Sequence, residues 1–198
     1  MPSVITLTGP SGSGKSSALG YLLSRTVPGF DPILIPKYTT RAPRSDDRGE
    51  SICVDVIPPE CDLVYEQYGA RYGVNSQMLF DRLAVGKSPI LIVNDVRLVE
   101  DLRNTFGKLV RSIFIFRKGP TIDQYQKLAA SRNVSDERDY QNRFNKAQAI
   151  YRIYIENIHL FDHVILNSGN RRTLKTQALK IVKGLGQIPN WPLYERES

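Results

Sequence analysis

The chain has 198 residues, 41% of them hydrophobic and 24% charged, a mixture that supports one sizeable hydrophobic core. No apolar run approaches membrane-spanning length, and no segment repeats or falls into low complexity, so a membrane protein and a solenoid are both excluded. The net charge of +7 comes from 27 Lys and Arg against 20 Asp and Glu, spread along the chain and often beside glycines and turns. That distribution favours a site handling several phosphates over a nucleic-acid surface. Cys53 and Cys61 match no zinc spacing and are expected to be reduced thiols in a cytoplasmic protein.

The first element is an apolar run, Val4-Ile5-Thr6-Leu7, which reads as a buried strand. It leads into Gly9-Pro10-Ser11-Gly12-Ser13-Gly14-Lys15-Ser16, which fits the spacing G-x-x-x-x-G-K-[ST]. Behind it, Ser17 to Leu23 carries apolar residues at helical spacing. Strand, glycine loop and helix come in the order a phosphate-binding loop needs. Its glycines let successive backbone N–H groups face a phosphate, and the helix N-terminus adds partial positive charge. Gly9, Ser11, Gly12, Ser13, Gly14, Lys15, Ser16 and Ser17 are thus the candidate nucleotide-binding residues. Lys15 would reach the β- and γ-phosphates, and Ser16 would ligate Mg²⁺.

Pro32–Pro36 reads as a short apolar strand, followed by Lys37-Tyr38-Thr39-Thr40-Arg41-Ala42-Pro43-Arg44 and a charged loop ending at Glu50. Arg41 and Arg44 suit either a bidentate grip on a phosphate or a solvated basic loop. Ser76 is expected to cap a helix over 77–84 that ends at Gly86. Pro89–Val93 is apolar throughout, as a parallel strand buried on both faces should be. It delivers Asp95, which either orients the acceptor or a metal-bound water, or caps the helix Val96–Thr105. Ser112–Phe116 is the next strand, and Thr121 with Gln124 is a capping-box signature for a helix over 122–130. Arg132-Asn133 then precedes a long helix carrying Arg143, whose stripe of Ile150, Tyr151, Tyr154, Ile155 and Ile158 reads as core. A last strand, His163–Leu166, leads to Asn167-Ser168-Gly169-Asn170, which is expected near adenine. A helix over 173–184 and an extended tail close the chain.

The ordered set resembles the guanylate kinase family over roughly residues 3 to 186. The P-loop, Thr39-Thr40-Arg41-Ala42-Pro43-Arg44, Gly69-Ala70-Arg71-Tyr72-Gly73, Leu91-Ile92-Val93-Asn94-Asp95, Arg132-Asn133 with Arg143, and Leu160–Asn167 carry it. The resemblance implies an α/β P-loop NTPase fold with a parallel sheet flanked by helices, an inserted acceptor-binding lobe and an arginine-bearing lid. It implies a single domain over 1–186, with core segments 1–37, 88–131 and 145–186, lobe 38–87, lid 132–144 and tail 187–198. It also implies transfer of the ATP γ-phosphoryl group, with Mg²⁺, to a nucleoside monophosphate, with neither nucleic acid nor membrane as partner. Arg41, Arg44 and Tyr72 would hold the acceptor phosphate, although Tyr72 also fits a half-buried strand tyrosine. Arg132 and Arg143, with Lys15, would stabilise the moving charge.

The chain departs from that family where the base is read. Lys37 replaces a serine, Ile52 falls where a tyrosine is expected, Leu63 near a glutamate, and Val74 at a hydroxyl position. Tyr72-Gly73-Val74 and Val93–Arg97 partly resemble the ribose 1,5-bisphosphate phosphokinases. A guanylate-kinase-like interaction module without catalysis is a third reading.

Overall fold

The computed structural model describes residues 1–187 except 11, 44–46, 48, 68, 118–121, 124–125 and 128–136. For residues 137–140, 143, 186 and 187 only the backbone is described. The capping-box pair Thr121 and Gln124, Ser11, Arg44, Arg132, Asn133 and the tail beyond 187 therefore lie outside the described residues. So does the first part of the expected lid, residues 132–136.

The apolar runs become one parallel sheet. Its strands are β1 (Val4–Thr8), β2 (Pro32–Leu34), β7 (Ser88–Ile92), β8 (Val110–Arg117) and β9 (His163–Asn167), in the order β2-β7-β1-β8-β9. Every neighbour pair is parallel. Side chains alternate between two cores, as a strand covered on both faces requires. Ile5, Leu7, Ile90, Ile92, Ile113 and Ile115 face α1 (Lys15–Leu23) and the last helix α5 (Arg171–Gln187), meeting Leu19, Leu22, Leu174 and Val182. Val4, Leu91 and Val93 face the other way, onto Leu79 of α2 (Ser76–Ala84) and Leu98, Val99 and Leu102 of α3 (Val96–Phe106). On that side Phe114 stacks on Tyr154 of α4 (Glu137–Glu156) at 3.9 Å between ring centroids.

A second sheet joins β3 (Lys37–Thr39), β4 (Ser51–Cys53), β5 (Leu63–Gln67) and β6 (Ala70–Val74) in the order β4-β3-β6-β5. Its Tyr65, Tyr72 and Val74 share one hydrophobic cluster with Val4 and Leu91 of the main sheet, so the two sheets are fused through a common core. Gly73 is required by that packing, since a Cβ there would come within 2.5 Å of Ile57 Cγ2 and 2.9 Å of Cys61 Cβ.

Three local expectations change. The cap of α2 is Asn75, which accepts from the Met78 N–H at 3.2 Å, because Ser76 turns instead to Asp62. The apolar stripe of α4 is narrower than its composition implies: Ile150, Tyr151 and Tyr154 are buried, whereas Ile155 is 67% exposed. The last helix starts two residues early, at Arg171, because the Asn170 side chain accepts from the Arg172 N–H at 2.8 Å. Among the described residues, no helix is long and apolar enough to cross a membrane.

Candidate active site

The phosphate loop leaves the C-terminal end of β1, the end at which open α/β sheets bind ligands. Gly14 stands at the N-cap of α1 with φ 103°, a conformation L side chains resist, and offers the helix's first N–H groups no side-chain acceptor. The N-terminus of such a helix favours an anion. Lys15 begins the helix and folds back across the loop, its Nζ donating to the Gly9 carbonyl at 2.8 Å and the Pro10 carbonyl at 2.9 Å. The loop is closed by Ser13 N–H on the Pro10 carbonyl at 3.1 Å. Gly9 passes so close to β8 that a Cβ would lie 2.6 Å from the Ile115 carbonyl oxygen. Among the described residues the buried Ser13 hydroxyl meets no hydrogen-bond partner, and Ser17 is exposed on α1. This cradle, with a lysine folded over it and a serine at its helix entry, fits a Mg-bound nucleoside triphosphate.

Three residues that local sequence patterns did not single out for this loop hold it in place. Asn167, in the segment expected near adenine, donates from Nδ2 to the Ser13 carbonyl at 2.7 Å. Arg117, at the end of β8, donates from Nη1 to the Gly12 carbonyl at 2.9 Å. Its own backbone is gripped by Tyr151, whose hydroxyl donates to the Arg117 carbonyl at 2.8 Å. Glu50 accepts from the Ser16 hydroxyl at 2.8 Å.

Just beyond β3, Arg41 is mostly buried and ion-paired with Asp47, and it also donates to the Ala42 carbonyl at 3.0 Å. The Asp47 hydrogen bond, partly opposed by burial, holds the Arg41 guanidinium above its ordinary pKa. Tyr72 is buried, stacked on Tyr65 with ring centroids 5.1 Å apart. Lys37 is buried as well; its ammonium donates to the Ile92 carbonyl at 2.7 Å and lies 5.3 Å from the centre of the Tyr72 ring. Lys37 thus packs against Tyr72 and ties β3 to the end of β7, and Val74 is buried on β6, whereas Ile52 is 40% exposed on β4. Among the described residues the buried Tyr65 hydroxyl meets no hydrogen-bond partner, and burial, with Tyr72 and Asp95 nearby, pushes its pKa up.

Asp95 caps α3: its carboxylate accepts from the Arg97 N–H at 2.8 Å and pairs with Arg97 Nη2 at 3.2 Å. Arg143 lies on α4, with only its backbone described. Among the described residues no cluster of three or more His, Cys, Asp and Glu side chains could hold a metal by itself, so a cation here would depend on the nucleotide's own oxygens. Cys53 and Cys61 are free thiols.

No protein-family model matches the chain. Curated relatives named guanylate kinase do match it. The one from Prochlorococcus marinus subsp. pastoris is 29% identical over 189 residues, covering 91% of this chain and 96% of the relative. That of Bacteroides fragilis is 29% identical over 192 residues, covering 91% and 88%. That of Francisella tularensis subsp. tularensis is 25% identical over 181 residues, covering 87% and 92%. Among solved structures, the guanylate kinase from Anaplasma phagocytophilum shares the fold with a TM-score of 0.64 at 19% identity, over 94% of this chain and 87% of that one. In the order of its motifs, in its likeness to these relatives and in its P-loop α/β fold, the chain is guanylate kinase-like.

Proposed function

We propose that the protein is a cytoplasmic ATP-dependent kinase that transfers the γ-phosphoryl group of Mg-ATP to a nucleoside monophosphate, with base-reading positions altered from those of guanylate kinases. The observation that carries this reading is the hydrogen bond from Ser16 of the phosphate loop to Glu50, which precedes β4 in the same segment of chain as Arg41 and beside the sheet that bears Tyr72. A donor site and an arginine-bearing acceptor lobe sharing a hydrogen bond suit transfer between two phosphates. They suit a passive binding module poorly.

In this reading the loop N–H groups bind the triphosphate, and Lys15 exchanges the Gly9 and Pro10 carbonyls for phosphate oxygens. Mg²⁺, when bound, supplies charge neutralisation across the β- and γ-phosphates. Arg41 and Arg44 grip the acceptor phosphate as guanidinium forks, beside Tyr72. Lys37 and the apolar Val74 shape the site beneath it. Arg132 and Arg143 bring further positive charge to the transferring group. Asp95 would join the acceptor residues only by releasing Arg97. An ionised acceptor phosphate is already a nucleophile, so no general base is assigned.

The buried Lys37 ammonium favours one competing acceptor, a sugar phosphate with no base to be read, for which ribose 1,5-bisphosphate is the test compound. ADP release from Mg-ATP against GMP, dGMP, AMP, CMP, UMP, dTMP and ribose 1,5-bisphosphate separates the readings. Turnover with one nucleotide, abolished in Lys15→Ala, is the expected result. Turnover with the sugar bisphosphate alone would transfer the protein to the second reading, and ATP binding without any turnover would reject both.

A further inference from the structure

A serine hydroxyl has one hydrogen and two lone pairs. Ser16 gives its hydrogen to Glu50 Oε1 at 2.8 Å, which leaves both lone pairs for a cation. P-loop enzymes commonly complete the Mg²⁺ site with a carboxylate beyond a sheet strand. Here the strand neighbouring β1 on the acceptor side is β7, and the first carboxylate beyond its end, Asp95, is used as the cap of α3. Ile92 and Val93 are buried and apolar, and the next residue is the amide Asn94. Asp95 is engaged by Arg97 at the start of α3.

We infer that Glu50 is the carboxylate of the nucleotide's metal site: a positioning residue that takes the Ser16 hydrogen and adds negative charge beside the cation. This rests on the Mg-nucleotide reading of the loop, though not on the identity of the acceptor. Three observations support Glu50. It is buried, at 9% exposure, where a carboxylate is retained only if it is well bonded. Its backbone is fixed, since the Glu50 carbonyl accepts from the Lys37 N–H at 3.2 Å and Ser51 pairs with Lys37 at the start of β4. Its bond to Ser16 spans 34 positions of sequence, from the second sheet to the first helix.

The test is Mn²⁺ binding, read by electron paramagnetic resonance, to the full chain loaded with a non-hydrolysable ATP analogue. Glu50→Ala and Ser16→Ala should each weaken Mn²⁺ by about ten-fold, as losses of a metal's supporting carboxylate do. The double variant should be hardly weaker than Ser16→Ala alone, because the two act through one bond. Glu50→Gln, which keeps an accepting oxygen but loses the charge, should fall between wild type and Glu50→Ala, and it serves alone should Glu50→Ala fail to fold. Without metal, Glu50→Ala and Glu50→Gln should shift nucleotide affinity by less than they shift Mn²⁺ affinity, which separates a role at the metal from a general weakening of the loop. Wild-type Mn²⁺ affinity in Glu50→Ala or in Glu50→Gln, or fully additive losses in the double variant, would overturn the inference. Silence with every acceptor, beside an intact Glu50 dependence of Mn²⁺, would reject the kinase reading and leave this one standing.

Discussion

Asn167 holds Ser13: from the end of β9 its Nδ2 donates to the Ser13 carbonyl at 2.7 Å, and a Cβ added to Gly14 would lie 2.7 Å from that same nitrogen. The far edge of the sheet therefore sets the shape of the phosphate loop. Glycine at 14 serves two ends, its left-handed backbone and the room it leaves for the amide.

Gly14→Ala meets both obstacles at once, a φ of 103° and the Asn167 contact. It should cost about 1–3 kcal/mol of stability, seen as a lowered Tm, and weaken ATP at least ten-fold by calorimetry. Asn167→Ala removes one hydrogen bond worth about 1 kcal/mol and should weaken ATP by roughly five-fold. Equal ATP affinity in both variants and wild type would show that the loop keeps its shape without β9.

Arg41 is paired with Asp47, so an acceptor phosphate held by Arg41, as proposed above, would compete with Asp47 for one guanidinium. Arg41→Ala should raise the acceptor KM by about ten-fold or more while leaving the ATP KM within about two-fold, since hydrogen bonds to charged groups are worth about 1.5–3 kcal/mol. Asp47→Asn, which keeps the shape and removes the competing charge, should lower the acceptor KM. Steady-state kinetics with both substrates varied distinguishes these outcomes from a general loss of folding.

Lys37→Met removes the donor that satisfies the Ile92 carbonyl and the cation beside the Tyr72 ring. Denaturant unfolding should show a loss of about 1–3 kcal/mol, the cost of leaving a buried acceptor unpaired. An acceptor profile that stayed the same in this variant would remove Lys37 from the specificity residues.

His163 makes stability pH-dependent. Burial, with Arg111 nearby and only partly offset by Asp162, holds its pKa below the ordinary 6.5. Below about pH 6.5 the unfolded chain binds the proton more readily than the folded one, so stability falls as pH drops through that value toward the folded pKa. His163→Asn should flatten this part of the stability curve. Asp62 acts at lower pH: hydrogen bonds from Ser76 outweigh its burial and hold it below 3.8, so its contribution is lost only as pH falls through that lower range. Unchanged pH dependence of the midpoint between pH 7 and 5 in His163→Asn would contradict the assignment.

Much of the protein was legible in the order of its residues, for local reasons. The phosphate loop is contiguous, and its strand, glycines and helix each follow from neighbouring residues. The strands of the main sheet are buried on both faces, so runs such as Pro89–Val93 carry their signal without alternation. The second sheet was less legible: β3 and β4 span three residues each, and β4 is paired on one side only, too short for any periodicity to emerge. Between Asn75 and Ser76 both side chains are competent to cap α2, and only the approach of Asp62 in space decides which one does.

The sequence alone determined the P-loop, the parallel sheet and the kind of ligand the loop takes, because those depend on residues adjacent in the chain. Tertiary structure decided which side chains complete the site. Glu50 reaches Ser16 across 34 positions, Arg117 reaches Gly12 across 105, and Asn167 reaches Ser13 across 154. A hydrogen bond between groups so far apart in sequence leaves no pattern in either neighbourhood, and it exists only once the sheet has brought the ends of its strands together.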